Sequence, residues 1–521
     1  MKKFYDIHMH AFNLSHPNLS LFLQREDVID SLIGGLFKPK SESKSDSKSK
    51  LKTTKICSCI IICITIIATA ALVIFAPQTF FWIIRLLAFI TFLALLTILI
   101  IILVLLKKIK KYITTGKNLT GIVKGVAQYF LSTKYAKKFI KQALRTLTFF
   151  EIPFEYQFLV LDHFLRSKMK YDDDKKQIRI GETDYHKIVL CPLVIDFGRK
   201  SISDGVVYNL TPKTPTANQV GDLLYAIRTY YRFKVEVEGY KMELSKEIQD
   251  WENKKEDKLF EIYPFMGIDT RNYDTWDEIK RLLDKYFNKF EEDDSAEKRR
   301  ERLFKKMGML ECNMYKIEED YYVGAFAGIK LYPQLGFDPY PSNSKEFEKT
   351  DNLYKYCIEK RIPITTHCSD GGYKTGDNDI LTSPLGRWKK VLERYPELTL
   401  NFAHFGSQKE DETEWRDAII DLTKKYPNVY TDISCNDMSM KYYAELESIL
   451  TEASNNEPSK ELYKRVLFGS DFSINMLVTE VESYNQNLEV FTNPEFKLSY
   501  KPDLCEHNPE RFLFGGEIMH K

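Results

Sequence analysis

Apolar and β-prone residues along this chain fall into short runs, several of which end on a side chain able to bind a metal or move a proton. The first is Tyr5-Asp6-Ile7-His8-Met9-His10. Side chains alternate faces along an extended strand, so His8 and His10 point to one side and can reach a single ion. The runs 362–367 (IPITTH), 398–404 (LTLNFAH) and 466–471 (VLFGSD) stop in the same way at His367, His404 and Asp471. Further strands are expected at 187–196, 260–269, 326–332 and 428–433, with helical stretches at 352–360, 388–395, 414–425 and 459–464. Strands alternating with helices predict an α/β fold, a (β/α)8 TIM barrel, with its chemistry at the C-terminal strand ends. The stretch 204–258 is longer than a usual connection, and its 220–251 portion reads as long charged helices forming an insertion, a cap or an oligomer contact.

Between the first run and the second the pattern changes. Residues 38–55 are a Ser/Lys-rich linker with almost nothing apolar. Residues 56–76 carry no charge, and after Pro77-Gln78-Thr79 residues 80–106 carry only Arg85. As helices these runs would reach about 32 and 40 Å, against about 30 Å of bilayer hydrocarbon. They predict a two-helix transmembrane hairpin inserted in the barrel, which would comprise 1–37 and 112–521. Arg85 would cost about 2.5–3.5 kcal/mol at the bilayer centre, but it lies near the turn and can snorkel. Lysines flank both outer ends, so the positive-inside rule puts a two-span protein in the cell or inner membrane with its barrel cytoplasmic. Residues 107–150 contain no Asp or Glu and suit a basic amphipathic helix on an anionic bilayer surface, or an outer barrel helix with a basic face.

Overall charge adds little, since 75 Lys and Arg nearly balance 73 Asp and Glu. No nucleic-acid partner is expected, because the basic cluster lies where lipid headgroups account for it. The nine cysteines form no zinc-ribbon or secreted framework and read as reduced thiols, with Cys57 and Cys59 open to acylation at the membrane edge. The first ten residues do not read as a cleavable signal sequence.

The ordered set Asp6-Ile-His-Met-His10, 264–271 (PFMGIDTR), 328–333 (GIKLYP), Thr366-His367, Ala403-His-Phe-Gly406, Gly469-Ser-Asp471 and Asn508-Pro-Glu-Arg511 resembles the amidohydrolase superfamily, in its amidohydrolase-related hydrolase and decarboxylase branch. The resemblance covers strand one and about 187–514, not the hairpin. It implies a divalent metal, zinc favoured and one ion favoured over two, held by His8, His10, His367 and Asp471. Metal-bound hydroxide would cleave a C–N or ester-like bond, with Asp471 moving the proton and His404 polarising the substrate. Lys330 would act as an unmodified site lysine or, carbamylated, bridge two metals. Arg271 and Asp370 are candidate substrate contacts, and Asp432 a weaker one. The alternatives are a non-oxidative decarboxylase or hydratase on the same metal, and a non-catalytic membrane sensor binding a small molecule in the barrel. A small-molecule substrate and the bilayer are the expected partners, with homo-oligomer or membrane partner left open.

Overall fold

A computed structural model describes residues 1–11, 152–197, 215–238, 241–250, 254–287, 295–307, 326–373, 378–406, 413–436, 439–455, 462–478 and 481–515. The chain divides into two units, Met1–Ile29 with Arg145–Lys521 and Asp30–Leu144, and every described residue belongs to the first. The linker, both apolar runs and the segment 107–150 therefore lie outside the described residues. Among the described residues no helix is long and apolar enough to cross a membrane.

Eight parallel strands form the barrel: β1 Lys3–Met9, β2 Lys187–Pro192, β3 in two pieces Phe260–Ile262 and Phe265–Gly267, β4 Gly328–Leu331, β5 Ile364–Thr366, β6 Leu400–Phe402, β7 Val429–Asp432 and β8 Val466–Leu467. Each pairs with the next in chain order. The ring closes where Ile7 N–H donates to the Phe468 carbonyl (3.1 Å) and Asp471 N–H to that of His8 (2.7 Å). A parallel bridge from Leu193 to Phe265 joins β2 to the second piece of β3. Apart from Lys3, β1 and β2 are buried along their whole length, because helices cover one side and the packed barrel interior the other. That double burial explains why the strand runs are nearly continuous in apolar residues rather than alternating.

The outer layer contains α1 Gln157–Lys168, α2 Pro215–Arg232, α3 Trp276–Tyr286, α4 Ala296–Met307, α5 Ser344–Glu359, α6 Arg387–Arg394, α7 Glu414–Lys425, α8 Met440–Asn455 and α9 Asn508–Phe514. α7 and α6 sit where the apolar period puts them. α5 starts eight residues before the expected 352, because the Asn343 side chain caps it by accepting from the backbone N–H of Lys345 (3.0 Å) and Glu346 (3.2 Å). The helix expected at 459–464 is, where described, a single 3-10 turn, Leu462–Arg465.

The expected insertion of long charged helices is corrected. α2 buries Val220, Leu223, Leu224, Ile227 and Tyr231 on one stripe, and the Tyr231 hydroxyl donates to the Phe260 carbonyl (3.0 Å). It is thus packed on β3 as the crossover helix from β2. The chain then forms an antiparallel hairpin, Val235–Glu238 with Lys241–Leu244. The Val-Glu-Val-Glu alternation at 235–238 has the two-residue period of a strand, which the high charge of the region obscured.

Candidate metal centre

β1 brings two imidazoles to the mouth of the barrel, and Asp6 ties that strand to the end of β8. The buried Asp6 carboxylate accepts from Ser470 N–H (2.9 Å), His8 N–H (3.3 Å) and the Tyr484 hydroxyl (2.9 Å). Burial pushes its pKa up to about 7. β8 itself ends at Leu467, earlier than expected, and the chain turns so that Asp471 takes a positive φ of 56°. Gly469 permits this close approach: a Cβ there would lie 2.6 Å from that of His8.

His8, His10 and Asp471 consequently converge. His10 Nε2 lies 3.2 Å and His8 Nε2 3.5 Å from Asp471 Oδ1, and one ligand atom from each residue falls within 4.8 Å of the other two. The opposite ring nitrogens each face an acceptor oxygen. His10 Nδ1 is 2.9 Å from the Leu193 carbonyl, and His8 Nδ1 is 3.0 Å from Asp432 Oδ2. Each ring, in its neutral form, therefore carries its hydrogen on Nδ1 and can turn the Nε2 lone pair toward the Asp471 oxygen. His8 Nε2 and Asp471 Oδ1 are buried without a hydrogen-bond partner. Three electron-pair donors aimed at one another repel unless a cation lies among them, so this donor set fits a divalent metal such as zinc.

The electrostatics agree with that fit. Burial lowers the His8 pKa to about 3 and holds His404 and His367 below the ordinary histidine value, His367 far below. Burial alone would raise the Asp471 pKa, but the histidines around it, His10 foremost with His8 and His404, hold that carboxyl well below the usual range. A neutral His8 imidazole and an ionised Asp471 are the protonation states a metal ion requires.

His367 and His404 occupy the same mouth but play different parts. A small cavity is lined by His10, His367, His404 and Asp471 together with Tyr332 and Ile474. His367, expected as a fourth ligand, stands outside the three-residue group: its Nε2 lies 2.9 Å from the Gly371 carbonyl and its Nδ1 3.1 Å from His404 Nε2. Its ring also stacks on Tyr332 at 4.5 Å. The loop after β5 holds it there. Gly372 has φ +95°, and a Cβ at this position would meet Tyr332 Oη at 2.4 Å and His367 Nε2 at 3.0 Å. Gly372→Ala is expected to cost about 2–4 kcal/mol, from the left-handed backbone and the collision, and to push the loop off His367. Denaturant unfolding checks the first, and a mutant as stable as the wild type would refute it.

Lys330, at β4, is buried with no hydrogen-bond partner for Nζ, and its pKa falls to about 8 through burial, against the pull of Asp432 and Asp471. Arg271 is not placed to grip a substrate. Its guanidinium is engaged by Asp269, with Nη2 to Oδ2 at 2.5 Å, and donates to the Leu335 carbonyl at 2.8 Å. Asp370 is part-buried in the loop after His367, while its neighbours Ser369 and Gly372 rather than Asp370 line the cavity. Two residues that sequence reasoning underrated or missed stand against the histidines: Asp432, noted only as a possible substrate contact, and Ser434, which no motif marked.

Residues 315–515 match the amidohydrolase family model. The matched segment carries Lys330, His367, His404, Asp432 and Asp471; β1, with His8 and His10, lies outside it, so the ligand group joins the matched segment to a strand far upstream. No curated protein matches the chain. Solved structures similar to it include amidohydrolase 2 from Bifidobacterium longum subsp. infantis, 19% identical, with 37% of this chain and 63% of that one covered and a TM-score of 0.25. The chain thus spans less than two thirds of that protein. A putative 2-pyrone-4,6-dicarboxylic acid hydrolase from Pseudomonas putida is 13% identical, with coverage of 64% and 84% and a TM-score of 0.30. An amidohydrolase from Mycobacterium avium subsp. paratuberculosis is also 13% identical, with coverage of 63% and 71% and a TM-score of 0.26.

Proposed function

We propose that this chain is a membrane-anchored, metal-dependent hydrolase that cleaves a C–N or ester-like bond in a small molecule. The observation that carries the reading is the convergence of His8 Nε2, His10 Nε2 and Asp471 Oδ1 beside a cavity at the barrel mouth that His10 and Asp471 line. A divalent cation held by these three would supply Lewis acidity, able to activate water near neutral pH and to polarise a carbonyl. The chain's own residues do the rest. Asp471, ionised and at the cavity wall, accepts the proton of the attacking water and returns it to the leaving group. His404, on the same wall, hydrogen-bonds the substrate oxygen as charge develops. Tyr332 and Ile474 exclude water and favour a small flat apolar substrate body. Lys330 offsets the charge of the two buried carboxylates that surround it electrostatically.

The membrane part of the reading rests on the two apolar runs at 56–76 and 80–106 with lysines outside both.

Elemental analysis and product assays on the full chain in detergent test the proposal. About one divalent ion per chain, with ammonia, amine or alcohol released from amides and esters, is the expected result. Carbon dioxide as the released product would replace hydrolysis by decarboxylation, and bound metal with no turnover across amides, esters and carboxylic acids would favour a sensor.

A further inference from the structure

Asp432 ends β7 with its carboxylate fully buried, and groups from three strands meet there. Its Oδ2 accepts from Asn401 Nδ2 (2.7 Å) and lies 3.0 Å from His8 Nδ1. Its Oδ1 accepts from the backbone N–H of His404 (3.1 Å), the backbone N–H of Ser434 (3.1 Å) and the Ser434 hydroxyl. The Ser434 oxygen in turn lies 3.0 Å from His8 Nδ1 and 2.9 Å from His404 Nδ1, bridging two rings whose centroids are 4.9 Å apart. Neither residue lines the cavity.

We propose that Asp432 and Ser434 are positioning residues: Asp432 sets which nitrogen of His8 faces the cation site, and Ser434 locks the His404 ring to that arrangement. The inference rests on the reading of His8 as a cation ligand. A carboxylate that already receives several N–H groups can only accept, so the His8 nitrogen facing it bears the hydrogen and the far nitrogen keeps its lone pair. An aspartate on the seventh strand thereby decides whether a histidine on the first can coordinate at all. Ser434 explains why His404 moves with it, since one hydroxyl touches both rings.

Asp432→Asn separates this role from mere packing. The amide keeps one oxygen for the backbone donors of His404 and Ser434 but presents N–H to His8 Nδ1, which must then accept and carry its hydrogen on Nε2. Asn401 can adapt, because its Oδ1 is buried without a partner and can turn toward the new donor. The test uses the full chain, labelled with 15N-histidine, in detergent micelles. The metal-free wild type is expected to show His8 as the Nδ1–H form and D432N the opposite form. Zinc affinity, read by competition with a coloured chelator, should fall about 10- to 100-fold in D432N. Ser434→Ala should leave the His8 form unchanged and shift the 15N signature of His404.

A wild-type His8 hydrogen on Nε2 overturns the proposal, as does D432N with unaltered ring form and zinc affinity. An unshifted His404 signature in S434A removes the Ser434 half. If the wild type takes up no zinc, the reading of the cation centre fails, while the metal-free spectra still decide the positioning claim. Should D432N not fold, the wild-type spectrum and S434A decide it.

Discussion

Asp471→Asn is expected to strip the protein of its divalent ion and lower turnover on the order of 10³-fold, the equivalent of several kcal/mol of lost Lewis-acid stabilisation. The substitution is nearly isosteric, and asparagine tolerates the left-handed backbone at φ 56° that this position requires. The backbone bond from residue 471 to the His8 carbonyl, which helps close the barrel, does not involve the side chain and survives. What disappears is the one formal negative charge among the three converging donors, so two neutral imidazoles are left to hold a dication. Metal content after dialysis and turnover are the two measurements. A mutant that keeps its metal and its rate would place the chemistry elsewhere.

Lys330→Met should give the largest opposite-signed pair of effects: a more stable but inactive protein. Lys330 is buried without a hydrogen bond, and the drop of its pKa from 10.5 to about 8 corresponds to about 3 kcal/mol of destabilisation near pH 7 in the metal-free chain. Methionine is of similar length and carries no charge to desolvate, so it should recover most of that. The sign follows from proton counts. Below pH 8 the ammonium exists in both folded and unfolded chains, and the folded state bears the full penalty. Between pH 8 and 10.5 the unfolded chain holds a proton the folded chain has released, so wild-type stability rises with pH and the advantage of methionine shrinks. Urea unfolding of both proteins with chelator at pH 7 and pH 10 measures it. Equal stability at pH 7 would mean that burying the Lys330 ammonium carries no net cost.

The parts of the site legible in the chain were those with a local signature. His8 and His10 share a face because a strand has a two-residue period, and Asp471 follows a short apolar run that could only be a strand. Arg271 also looked functional, standing just past a strand end, yet Asp269 two residues earlier neutralises it through a turn that no periodicity announces. His367 fell at the right strand end as well, but the glycine-containing loop after it offers its ring a carbonyl, which removes it from the three-donor group. The misread 220–251 region failed for a related reason: charge density drew attention to helix, while α2 was an ordinary crossover helix and the rest a hairpin.

By itself the sequence determined the eight-strand alternation, the positions of most strand ends, and the His-x-His and aspartate pieces of the centre, because each depends on side-chain period over a few residues. Only the tertiary structure decided that β8 stops early and turns Asp471 toward β1, that Asp432 and Ser434 stand against His8 and His404, and that Lys330 lies buried without a hydrogen bond. These are relations between residues tens to hundreds of positions apart. They depend on how the barrel closes, which no local pattern encodes.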